Sequence, residues 1–326
     1  MLPGMSLTVL SVAFPFVPVG RDSVGGSEQI LTLLDDSLVR AGHRSIVVAC
    51  QGSRPAGRLL STTRRNGNID DHTRAQVWCE YRRVIETAVR QNEPDLVHMH
   101  GLDFHEYMPS GPVPVLATLH LPPSWYPDHV FDFQEPHWFI QPVSQSQAKA
   151  CPPDARMLPP IVNGIDLARL TVNFGKRDFV LVLGRICPEK ALHLAMDAAR
   201  MAGRTLLLGG QVFPYTSHVA YFEDEIRPRL NRRCRYVGPL GLRMKRRLMT
   251  QARCVLVPSL VAETSSLVAM EALACGTPVI TFPSGALSEI VEHGRTGFLV
   301  NSPEEMADAI QCVDRLDPAV CRQTAW

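Results

Sequence analysis

No stretch of about 18 uninterrupted apolar residues occurs in this 326-residue chain, which excludes a helix that spans a bilayer and leaves only one-sided attachment open. An excess of charge is missing as well. Thirty-three lysines and arginines stand against 32 aspartates and glutamates, a formal net charge of +1. That balance gives no global pull toward nucleic acid or an anionic surface, so any anion must be held by local placement. The nine cysteines form no C-x-x-C pair and are scattered through strand-like and helix-like runs. This excludes a disulfide framework and points to reduced thiols in a cytoplasmic setting. No G-x-G-x-x-G follows the first strand, against a nicotinamide enzyme. Gly175-Lys176 is followed by Arg177 where a P-loop needs Ser or Thr. The opening apolar run LTVLSVAFPFVPV has no positive residue before it and is broken by Pro15 and Pro18, so it reads as a buried strand and not as a leader.

What is present is alternation. With 45% hydrophobic residues the chain has material for about two cores. In the first half LTVLSVA, SEQILTLLDDSLVRAG, RSIVVAC, DDHTRAQVWCEYRRVIETAVRQ, DLVHMH and PVPVLATLH read as strand, helix, strand, helix, strand, strand. Ile30, Leu34 and Leu38, four apart, mark the apolar side of the first helix. After a proline-rich stretch the pattern restarts with DFVLVLG, PEKALHLAMDAARMAG, RTLLLGG, CRYVG, GLRMKRRLMTQA, RCVLVPS, SSLVAMEALA, TPVITF, ALSEIVEHG and GFLV. Strands separated by helices imply parallel pairing. The expectation is an α/β protein of two Rossmann-like domains, 1–160 and 161–326, facing across a cleft at the strand ends.

Chemistry-bearing residues fall on the connections. Glu263 and Glu271, with seven residues between them, stand around the start of the SSLVAMEALA helix, which Ser265 or Ser266 can cap. Two turns of rise separate them by about 12 Å. A diphosphate at the helix N-terminus would have a carboxylate on either side; the alternative is a surface helix whose glutamates face water. In GRICPEK, residues 184–190, Arg185 can fork onto phosphate oxygens and Lys190 can add a point charge from a helix that Pro188 opens. Gly25 and Gly26 precede the first helix, where a backbone can approach a ligand closely. His120 closes an apolar strand as a hydroxyl contact or proton carrier. His98 and His100 share a strand face but show no third metal ligand. Gly238, before the next helix, leaves a slot for a base.

Together the Gly-Gly loop, the strand-end His120, VNGID between the halves, GR…EK, the paired glutamates continued as EALACGTPVI, and SEIVEHGRTGFLV resemble retaining glycosyltransferases of family four, over residues 7–310 or so. The resemblance implies the GT-B fold and transfer from a nucleotide diphosphate sugar to a hydroxyl acceptor. It implies that Arg185 and Lys190 hold the donor diphosphate, with Gly25 and Gly26 and the amides of Ser265, Ser266 and Leu267 beside it. Glu271 would bond the ribose, Glu263 the donor sugar, and His120 would lie near the reaction centre. Family members usually carry Pro-Phe-Gly after the first glutamate; here Thr264-Ser265-Ser266 stands instead. They commonly finish with a helix crossing back to the first domain, and only DPAVCRQTAW follows Leu316, so that crossover is expected to be reduced, missing or removed. UDP is the preferred base on family frequency. No Asp-x-Asp is present and Glu223 and Glu225 fit a solvated helix, so no metal is expected to be required.

Acceptor contacts are expected from Gly101, His105, Trp125, Tyr126 and the loop 64–71, with a small molecule or short saccharide as acceptor and no nucleic-acid partner. RPRLNRRCR and LRMKRRL read as solvated helix faces, or as peripheral contacts to an anionic lipid. Two other readings stay open: a GT-B sugar-nucleotide epimerase, and a non-catalytic nucleotide-sugar-binding partner.

Overall fold

The computed structural model describes residues 6–23, 25–65, 69–133, 135–172 and 175–325. The chain divides into two compact units, Met1–Asn163 and Gly164–Trp326. In the first, β1 (Thr8–Val12), α1 (Gly26–Arg40), β2 (Arg44–Cys50), β3 (Arg58–Thr62), α2 (Asp71–Asn92), β4 (Leu96–Met99), β5 (Val115–Thr118), β6 (Trp138–Gln141) and α3 (Gln145–Ala150) follow in order. Among the described residues all six strands pair in parallel in the order β3-β2-β1-β4-β5-β6.

The second unit holds β7 (Phe179–Leu183), α4 (Leu192–Met201), β8 (Thr205–Gly209), α5 (Thr216–Tyr221), β9 (Cys234–Gly238), α6 (Leu242–Gln251), β10 (Val255–Val257), α7 (Leu267–Ala274), β11 (Val279–Thr281), α8 (Leu287–Ile290), β12 (Gly297–Leu299), α9 (Pro303–Cys312) and α10 (Pro318–Gln323). Its strands run β12-β11-β10-β7-β8-β9, again parallel. Each sheet therefore reverses its strand order once, between β1 and β4 and between β7 and β10. In open parallel sheets such reversals leave a crevice at the carboxyl ends of the strands.

Both cores follow from the central strands, which read as unbroken apolar runs because helices cover both faces. Val180, Val182, Leu206, Leu208, Leu256 and Ile280 pack one side of the second sheet, with Leu181, Val255, Val257 and Val279 on the other. Two edge strands, β3 and β6, escape the sequence reading because RLLST and WFIQ are short and flanked by polar loops. The apolar side of α1 is also different from the expectation. Its buried face is Glu28, Leu31, Thr32 and Asp35, with Ile30, Leu34 and Leu38 only partly covered. Asp35 is buried because it is satisfied: it accepts from Ser45 Oγ at 2.6 Å and from the amides of Ala56 and Gly57.

Candidate donor site and histidine stack

The loops after β7, β10 and β11 are stitched together. Leu260 donates its amide to the Glu189 carbonyl at 3.0 Å, Ser284 Oγ donates to the Val261 carbonyl at 2.7 Å, and Ala286 donates to the Glu263 carbonyl at 2.7 Å. Glu263 thereby gains a fixed backbone although it lies outside any helix. Gly285 is required for this. It sits at φ +60°, and a Cβ there would lie 2.3 Å from the Glu263 oxygen. Gly285→Ala is expected to cost about 2 kcal/mol or more, read as a lowered melting temperature.

At the β7/β10 reversal the Lys190 ammonium bonds the Glu263 carboxylate, with side-chain exposures of 22% and 9%. Lys190 does not open an α-helix as expected: residues Pro188–Lys190 form a 3₁₀ turn, Ala191 takes φ +46°, and α4 begins at Leu192. Arg185 follows Gly184 at the end of β7, where its charge acts on Cys187, Glu189 and His218.

Ser266, not Ser265, caps α7, accepting from the Ala269 amide at 3.4 Å, and Leu267 is its first residue. Cys275 closes it and Gly276 turns away at φ +65°. Two cations hold that far end. Lys176 reaches Thr277 Oγ1 at 2.7 Å and the Cys275 carbonyl at 3.4 Å, and Arg322 of α10 reaches the Ala274 carbonyl at 2.5 Å. Cations at helix C-termini offset its unpaired carbonyls. Within α7, Glu271 is 8% exposed and does not face water. One carboxylate oxygen accepts from Lys245 at 2.8 Å, and the other is buried with no hydrogen-bond partner among the described residues.

Lys245 is the residue the sequence reading missed, since LRMKRRL looked like a uniformly solvated face. A signal was available: Met249, fully buried, is four residues on and shares its side of α6. Elsewhere the basic stretch is paired locally, Arg227 with Glu223 and Arg229 with Glu225 and Asp197. Gly238 ends β9 at φ +76°, its carbonyl accepting from Gly210, and a Cβ there would meet nothing within 4 Å among the described residues.

In the first unit Gly25 caps α1 and Gly26 is its first residue. A Cβ on Gly25 would lie 1.8 Å from the Glu28 carboxylate, so the crowding there comes from the chain itself. His98 and His100 do have a third histidine beside them. His100 Nδ1 lies 3.0 Å from His120 Nε2, those rings stack at 5.2 Å, and His98 lies tilted against His100 at 4.0 Å while its Nε2 meets Thr118 Oγ1 at 2.7 Å. Burial pushes His98 down to about 3 and His120 down to about 4, and holds His100 well below the ordinary range. All three are neutral at pH 7.

Unfolded histidines titrate near 6.5, so below that pH the unfolded chain binds more protons than the folded one, and stability falls as pH drops from about 6.5 toward 4. Each histidine contributes a slope of about 1.4 kcal/mol per pH unit. Denaturant midpoints at pH 7, 6 and 5 are expected to decline, and His98→Gln is expected to flatten the decline.

Of the expected acceptor contacts, Trp125 is 37% exposed and Tyr126 only 5%, its hydroxyl accepting from the His120 amide at 3.2 Å. Tyr126 is thus a buried aromatic anchor. Gly101 is buried where a Cβ would strike the Tyr107 hydroxyl at 2.1 Å. His105 packs edge-on against His129 at 5.1 Å, and burial lowers its pKa. Residues 66–68 of the loop 64–71 lie outside the described residues.

Two consecutive doubly wound parallel units, the second with cations and carboxylates gathered at its strand-order reversal, define the GT-B class of fold. A family model described as "Glycosyl transferases group 1" matches residues 177–313, and one described as "Glycosyltransferase Family 4" matches residues 24–149. The two matches fall in one unit each, about two fifths of the chain apiece, and together make the chain similar to glycosyltransferases of these families. It is 35% identical over 153 residues to a D-inositol 3-phosphate glycosyltransferase of Mycobacteroides abscessus, an alignment taking in 44% of this chain and 34% of that protein. It therefore spans about a third of the curated relative's length. Two solved structures share the fold: AviGT4, a glycosyltransferase involved in avilamycin A biosynthesis (TM-score 0.70, 22% identity, 98% of this chain and 92% of that one), and Anabaena HepE in complex with UDP-glucose (TM-score 0.73, 19% identity, 98% and 93%). No described helix is long and apolar enough to cross a membrane.

Proposed function

We propose that the chain transfers a sugar from a UDP-sugar to a hydroxyl acceptor with retention at the anomeric carbon. The observation that carries this is the second Glu271 oxygen, buried and unpartnered in a helix whose capped start adjoins the Lys190–Glu263 pair in sequence. A buried acceptor atom without a donor calls for a ligand hydroxyl, and a ribose supplies one. Arg185, Lys190 and the first amides of α7 would take the diphosphate charge that grows as the glycosidic bond breaks.

In a front-side displacement the bond between the anomeric carbon and the phosphate oxygen breaks, the acceptor oxygen bonds to the same face, and the released phosphate takes the acceptor proton. Glu263 orients the sugar. Residues of the first unit, Trp125 among them, are the candidates for the acceptor. The preference for UDP is supported by the UDP-glucose seen with HepE. With cations in place for the leaving group, added magnesium is expected to leave kcat unchanged.

A thermal-shift comparison of UDP, GDP and ADP with their glucose forms tests the reading. UDP at 100 times its Kd is expected to stabilise by about 2.7 kcal/mol, and Arg185→Ala to abolish the shift. No shift with any nucleotide would overturn it. Release of an epimerised donor without acceptor, followed by NMR, would replace transfer with epimerisation.

A further inference from the structure

The loop that carries Arg185 and Lys190 also carries a thiol and a carboxylate that the donor reading leaves unused. Cys187, fully buried, and Glu189, partly buried, lie with the buried His218 so that one ligand atom from each falls within 4.8 Å of the other two. His218 comes from another element, α5, 31 residues further on in the sequence. Its position is set locally by its own amide on the Tyr215 carbonyl at 3.0 Å and by the Tyr215 ring standing edge-on at 5.1 Å.

The orphaned atoms make this more than a chance cluster. His218 is 6% exposed and its Nδ1 is buried with no hydrogen-bond partner among the described residues, and the same holds for Glu189 Oε2. These two unpartnered atoms belong to residues that approach one another and a thiol from different elements, the thiol itself bonding the Glu189 carboxylate, and they carry a standing cost that a bound cation would remove.

We infer that Cys187, Glu189 and His218 form a transition-metal site, best suited to Zn²⁺, that clamps the 184–190 loop to α5. A thiolate, an imidazole and a carboxylate are a mixed sulfur, nitrogen and oxygen set that suits zinc and not magnesium or calcium, which take oxygen ligands. The charges also balance. A thiolate and a carboxylate neutralise the divalent ion, so the occupied site carries no net charge. Zinc binds three protein ligands with water as the fourth in open sites. Binding displaces the thiol proton to solvent and changes no oxidation state. The ion holds the loop and takes no part in the transfer step, so the inference stands apart from the donor reading and neither fails with the other.

The test uses the whole chain after chelator treatment. Zn²⁺ titrated by calorimetry is expected to bind once per chain and to raise Tm, with Mg²⁺ producing neither effect. Co²⁺ in its place is expected to show thiolate-to-cobalt charge transfer and the intense visible bands of four-coordination. Cys187→Ser and His218→Ala are each expected to weaken binding by about a hundredfold, while Cys79→Ser, which removes an exposed thiol elsewhere, leaves it unchanged. The wild-type cobalt spectrum decides the matter even if the buried variants fold poorly. Absence of the thiolate band, or zinc binding equally strong in both variants, overturns the site.

Discussion

Lys190→Ala is expected to lower both stability and turnover, and by amounts that can be read separately. Removing the ammonium strands the Glu263 carboxylate at 9% exposure. Breaking a buried pair from one side costs 3–5 kcal/mol, and because Lys190 itself keeps 22% exposure a loss of about 3 kcal/mol is expected in denaturant unfolding. Turnover is expected to fall by roughly 10²–10³, the range for deleting one preorganised group that faces developing charge. Glu263→Gln separates the two effects. It keeps an oxygen that can accept from Lys190 and removes the negative charge, so it is expected to cost less stability while still depressing kcat. Lys190→Met combined with Glu263→Gln is expected to recover most of the stability and none of the activity. Near wild-type kcat in Glu263→Gln would remove the proposed sugar-orienting role.

Glu271→Ala is expected to act on donor affinity. A hydrogen bond to a charged group contributes 1.5–3 kcal/mol, so the donor KM is expected to rise roughly 10- to 100-fold with kcat little changed, as for an interaction made equally in ground and transition states. The same change strands Lys245, which has 16% side-chain exposure, and some stability is expected to go with it. Lys245→Met with Glu271→Gln restores a neutral pair. If that double variant regains stability but keeps the raised KM, the carboxylate acts on the donor; if KM returns to normal, Glu271 serves only the packing of α6 against α7.

How far the residues disclosed these features depends on whether a signal was local. The second sheet was legible because DFVLVLG, RTLLLGG and RCVLVPS are short apolar runs bounded by glycine or proline. The cap of α7 was legible to within one residue, Ser265 or Ser266, because both precede an apolar helix. β3 was not, since RLLST becomes a strand only by pairing with β2. The buried face of α1 was misread because Asp35 is polar in sequence and becomes a core residue only when Ser45, Ala56 and Gly57 fold around it. The Lys245–Glu271 pair and the contact between Gly285 and Glu263 bring together positions 26 and 22 residues apart, and spacing along a chain does not announce such meetings. His120 reads in sequence as a strand end and His100 as half of a His98–His100 pair; only the pairing of β4 with β5 brings His100 and His120 together.

The clasp formed by Lys176 and Arg322 at the far end of α7 makes the tail a reporter. Amide hydrogens around Glu271 share their protection against exchange with a guanidinium more than fifty residues downstream. Deuterium uptake followed there would register a loosened C-terminal segment before any assay of sugar transfer did.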